Sequence, residues 1–134
     1  MGVLAREHSE LLQQIKKAGK LNYGLDLRLN QVGRARMSGS WVHVGLGTGS
    51  SDMVGSLPLY GPRGLRLAQW VAVEAKIKGD TPSTEQQSYL DYITARGGLA
   101  IVAWSIEDFL EEMRLHILRM ENHGLKLYVM RDRD

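Results

Sequence analysis

Apolar residues near the start of the chain recur at helical spacing. Leu4, Leu11, Leu12 and Ile15 fall on one stripe, which predicts a helix from about Arg6 to Ala18 with Gly19 as its stop. Glu7, four residues before Leu11, lies close to that stripe, whereas Glu10 lines up with Gln14 and Lys17. Period-two alternation follows: Leu25 to Asn30 and Ser40 to Val44 read as short strands, with QVGRARMSG between them as a loop or hairpin end. Met53 to Leu57 reads as a third strand ended by Pro58, and Pro58, Gly61, Pro62 and Gly64 make residues 58–67 a connection.

The clearest strand is WVAVEAKI, Trp70 to Ile77. Val71, Val73, Ala75 and Ile77 share one face, and Ala72, Glu74 and Lys76 the other. Beyond KGDTP, Ser83 with Gln86 three residues later has the capping-box pattern of a helix that runs to Gly97 and Gly98. Its inward face carries Gln86, Tyr89, Leu90 and Ile93. LAIVAW, Leu99 to Trp104, is an unbroken apolar run suited to a strand buried on both faces. Ser105, with Asp108 at the third position, caps a helix reaching about Met120; Gly124 ends it, and Leu125 to Met130 reads as a last strand. Strands alternating with helices in this order predict a mixed α/β domain with a central sheet.

Length and composition narrow the class. A chain of 134 residues suits one domain spanning 1–134, and 43% hydrophobic with 24% charged residues is ordinary for a folded protein. The net charge of +2 permits a nucleic-acid partner without requiring one. The absence of cysteine excludes disulfides, thiolate metal sites and cysteine nucleophiles. No apolar run approaches the ~20 residues that span a bilayer, and MGVLAREHSE lacks a secretory apolar core, so no membrane association and a cytoplasmic location are expected.

Two features carry chemistry. Asp52 begins one strand, and Glu74 with Lys76 occupies one face of another. If those strands are neighbours, two carboxylates and an ammonium meet, a set that suits Mg²⁺ or Mn²⁺ and metal-assisted hydrolysis of a phosphodiester. The glycine-rich GLGTGSSDMVG, residues 45–55, has neither a Walker lysine nor a following helix, which argues against a nucleotide cofactor. Its glycines are expected to let the backbone turn tightly beside Asp52.

GLGTGSSDMVG followed by VAVEAKIKGDTPSTEQQSYLDYITARGGLAIVAWSIEDFLEEM resembles the virus-type replication-repair nuclease (VRR-NUC) domain, a branch of the PD-(D/E)XK superfamily, in its small stand-alone bacteriophage form. The resemblance spans roughly Arg28 to Met113. It implies a restriction-endonuclease-like α/β fold, a central mixed sheet flanked by helices. Asp52 and Glu74 would hold the metal with the backbone carbonyl of Ala75, Lys76 would be the catalytic lysine, and Gln86 would sit beside it and the substrate phosphate. An acid on the first helix often completes such sites; Glu7 is the expected one, with Glu10 the other candidate. Arg28 and Asn30, followed by Gly33, resemble an Arg-Asn-Gly segment near the DNA, with spacing about a residue off the usual form. Arg34, Arg36 and Lys78 are further expected DNA contacts. Ser51 stands where the superfamily motif has its leading proline.

The resemblance therefore implies a metal-dependent DNA endonuclease acting as a homodimer on branched DNA such as four-way (Holliday) junctions, in the host cytoplasm if phage-encoded. The C-terminal GLKLYVM is a candidate for dimer contacts. The alternatives are a catalytically idle DNA-binding accessory of phage replication or packaging, and a nicking nuclease on ordinary duplex DNA. His8, His43, His116 and His123 show no metal-ligand spacing and read as surface or partly buried residues, with a catalytic His43 the alternative. Trp41, Trp70 and Trp104 read as core or interface aromatics rather than base-stacking platforms.

Overall fold

The computed structural model describes residues 2–30, 33–44, 46 and 49–128, with backbone alone for 33–37 and 41–44. The first helix, α1, runs over Val3–Tyr23, longer at both ends than the apolar stripe predicts. Gly19 is not its stop. It is buried inside the helix, and a Cβ there would stand 3.1 Å from Leu25 Cδ2, so its missing side chain is what lets Leu25 fold back onto α1. The stop is Gly24, whose φ of 65° is the left-handed conformation that closes a helix, with its N–H on the Lys20 carbonyl.

Seven strands follow: β1 (Asp26–Leu29), β2 (Gly33–Met37), β3 (Ser40–Val44), β4 (Met53–Tyr60), β5 (Arg66–Ala75), β6 (Leu99–Ala103) and β7 (Lys126–Leu127). Helices α2 (Thr84–Ala95) and α3 (Ile106–Asn122) flank β6 in sequence. Five strands form one mixed sheet in the order β1-β4-β5-β6, with β7 paired to β4 beyond the end of β1. The pairs β1–β4 and β4–β5 are antiparallel, and β5–β6 is parallel with α2 as its crossover. Residues 33–37, expected as a loop or hairpin end, pair with β3 in a separate hairpin; Ser38 (φ 51°) and Gly39 (φ 81°) supply the two positive-φ positions of a two-residue turn.

Pro58 does not end β4. It pairs with Ala68, and its carbonyl accepts the Tyr128 N–H at 2.9 Å, so its missing donor faces the gap between β1 and β7.

The alternation read in β5 holds. Val71, Val73 and Ala75 join Leu11, Ile15, Phe109 and Met113 in the core beneath α1 and α3, while Ala72 packs with Leu90 and Ile93 beneath α2. Glu74, 2% exposed, is therefore carried on the α2 side of a strand buried on both faces. Among the described residues no helix is long and apolar enough to cross a membrane.

Candidate active site at the C-terminal end of β5

Antiparallel pairing of β4 and β5 sets Met53 opposite Val73, which brings the residue before β4 to the end of β5. Asp52 Oδ2 accepts the backbone N–H of Ala75 at 2.9 Å, and its own carbonyl accepts the Asn30 N–H at 2.8 Å. The two acids expected to meet thus lie together. Burial first, and the Asp52 carboxylate second, push the Glu74 carboxyl up to about 7, while the Lys76 ammonium 3.5 Å from Glu74 Oε1 acts in the opposite direction. The second oxygen, Glu74 Oε2, is buried without a hydrogen-bond partner among the described residues.

Gln86 links the cluster to α2. Its Oε1 accepts from Lys76 Nζ at 2.8 Å and from the Ser83 backbone N–H at 2.9 Å, and its Nε2 donates to Glu74 Oε1 at 3.2 Å. The Gln86 N–H in turn donates to Ser83 Oγ, completing the capping box. One side chain caps the helix and fixes the lysine and the acid.

The glycine turn is set against the same helix. A Cβ on Gly49, whose φ is 85°, would stand 2.8 Å from Glu85 Cβ, so only glycine lets the turn close on the first turn of α2. Gly45, Gly47 and Thr48 lie outside the described residues. Asn30 holds the turn: its Nδ2 donates to Ser50 Oγ and the Ser51 carbonyl, and its Oδ1 accepts the Leu46 N–H. The amide expected near DNA is thereby engaged within the protein.

On α1 the residue at the cluster is His8, which sequence reasoning passed over, and Glu7 is not among its contacts. His8 Nε2 lies 3.2 Å from Asp52 Oδ2 and 3.0 Å from the Ala75 carbonyl. Glu7 and Glu10 are exposed and line a separate cavity of about 320 Å³ with Lys78 and Glu107. The signal was available: His8 precedes Leu11 by three residues and Ile15 by seven, the two buried apolar residues of α1, so it belongs to the inward stripe. A cavity of about 270 Å³ lined by Leu4, His8, Ala75, Lys76 and Asp80 opens beside the cluster.

Arg28, exposed, pairs loosely with Asp26 and lines a groove with Lys16 and Lys20. The side chains of Arg34, Arg36, Trp41 and His43 lie outside the described residues, as do Val129 and Met130 of the C-terminal segment. His116 is buried at the other end of β5, bonded to Gln69 Oε1 at 2.7 Å, and burial holds its pKa down at about 4.

Among the described residues no three His, Asp or Glu side chains form a ready-made metal cage. The set that fits a hard cation instead includes a main-chain oxygen: Asp52, Glu74 and the Ala75 carbonyl, with Glu74 Oε2 buried and without a hydrogen-bond partner among the described residues. Compared with family models and with curated proteins, the chain matches none.

Proposed function

We propose that the protein is a divalent-metal-dependent DNA endonuclease with the PD-(D/E)XK fold of the VRR-NUC family. One observation carries the reading: Asp52, Glu74, Lys76 and Gln86, from separated stretches of sequence, meet at the C-terminal end of β5 around a buried carboxyl oxygen that has no partner among the described residues. A surface that only bound DNA would gain nothing from two carboxyl groups that repel phosphate. The mixed sheet between α1/α3 and α2 is the architecture that the sequence resemblance implies.

Asp52, Glu74 and the Ala75 carbonyl would hold Mg²⁺ or Mn²⁺, which when bound neutralises charge on a phosphate and acidifies a coordinated water. Lys76, steadied by Gln86 and Glu74, presents its ammonium to the scissile phosphate and to the attacking water. Hydrolysis joins the water oxygen to phosphorus, breaks one P–O ester bond and leaves the proton on the departing sugar oxygen. Lys16, Lys20 and Arg28, together with Arg34, Arg36 and Lys78, supply sequence-blind phosphate contacts. One small site cuts one strand, so symmetric cleavage of a four-way junction needs a homodimer.

The test is incubation of a labelled four-way junction and a linear duplex with Mg²⁺, Mn²⁺ or EDTA, beside Lys76→Ala. Cleavage that requires the metal and falls at least ~100-fold in Lys76→Ala is the expected outcome. DNA binding without cleavage would identify the accessory protein instead, and cutting that survives Lys76→Ala would place the chemistry elsewhere.

A further inference from the structure

We infer that His8 is a ligand of the divalent ion at this site, and that its imidazole makes the site favour Mn²⁺ over Mg²⁺. The inference rests on the nuclease reading for the presence of an ion and goes beyond it in the ligand set and the metal preference. His8 Nε2 faces two oxygens, Asp52 Oδ2 at 3.2 Å and the Ala75 carbonyl at 3.0 Å. Both are acceptors, so without an ion Nε2 carries a hydrogen shared between them. These same two oxygens belong to the set that fits the cation.

Neighbouring ligands on an octahedral ion with bonds of ~2.1 Å stand ~3.0 Å apart, and the imidazole nitrogen already has that spacing from both oxygens. With an ion bound, the neutral ring would carry its single hydrogen on Nδ1, leaving the Nε2 lone pair to face the ion. The helix holds the ring there because Leu11 and Ile15, on the same stripe, are buried against the sheet. A carboxylate at this place would make an all-oxygen site suited to Mg²⁺. An imidazole shifts the site toward transition ions, whereas Mg²⁺ keeps to oxygen ligands.

Metal binding without DNA tests this. Mn²⁺ affinity, by electron paramagnetic resonance of the free ion, and Mg²⁺ affinity, by competition, are measured for the unmutated protein, His8→Ala, His8→Glu and Lys76→Ala. His8→Ala is expected to weaken Mn²⁺ at least ~10-fold and Mg²⁺ less. His8→Glu is expected to bind both ions and lose the preference, and Lys76→Ala to retain Mn²⁺ while failing to cleave. Unchanged Mn²⁺ affinity and an unchanged Mn²⁺ to Mg²⁺ ratio in folded His8→Ala and His8→Glu would overturn the role of His8, leaving the nuclease reading intact if the unmutated protein cleaves. Failure of the unmutated protein to bind Mn²⁺ would overturn both.

Discussion

Glu74 is the residue on which the electrostatics of the site turn. Its carboxyl titrates near 7 in the folded protein against 4.5 for a free side chain, because the interior and Asp52 both oppose its charge. Since the folded-state value is the higher one, this group's stabilising contribution is full below about 4.5 and is lost as pH rises through about 7. The metal-free protein is therefore expected to lose Tm between pH 5 and pH 8 relative to Glu74→Gln, and the variant to be the more stable of the two at pH 8 while inactive. Parallel melting curves would contradict this. Glu74, Lys76 and Asp52 were legible in the sequence because strand alternation fixes which side chains share a face, and one strand pairing suffices to add Asp52. His8 was legible only as a member of the inward stripe of α1, and what that stripe faces is set by how α1 lies across the end of β5.

Two elements deliver these residues, and each depends on a local signal. Helix α2 is positioned by a capping box whose glutamine also holds Lys76 and Glu74. Ser83→Ala removes the acceptor for the Gln86 N–H and is expected to cost ~1 kcal/mol in denaturant unfolding while slowing cleavage, since the cap and the site share Gln86. Unaltered cleavage with lowered stability would separate the two roles. Strand β4 is held against β1 at Gly55, where a Cβ would collide with the Asp26 carbonyl oxygen. Gly55→Ala is expected to cost at least ~2 kcal/mol and to loosen the Asn30 bond to Asp52 at the end of the same pairing. Retention of full stability would show that β1 can shift without cost. The capping signals at Ser83 and Ser105 and the alternation of β5 came through in the sequence. Gly19, Pro58 and β2 did not. A glycine reads as a helix stop unless the residue that packs on it is known, a proline as a strand end unless the edge it faces is known, and β2 needs its partner strand to be a strand at all.

At the scale of the whole molecule, helices on both faces of one sheet leave the end of β5 as the point where α1, the glycine turn before β4, and α2 converge. A carboxyl pair, a carbonyl and an ammonium are gathered there, although the stretches that supply them are separated along the chain. The order of elements was visible in the alternation of strand and helix patterns, but the convergence follows from pairing register, which no single stretch encodes. On the proposed reading, the arginines and lysines would contact phosphate and give DNA affinity that falls steeply with salt for any sequence, and a weak salt slope in a binding titration would argue against an electrostatic DNA face. The central claim is tested most directly by a crystal grown or soaked with Mn²⁺ and measured for anomalous scattering. The account predicts a peak within coordination distance of Asp52, Glu74 and the Ala75 carbonyl; Mn²⁺ bound only elsewhere, with these groups closed on one another, would contradict it.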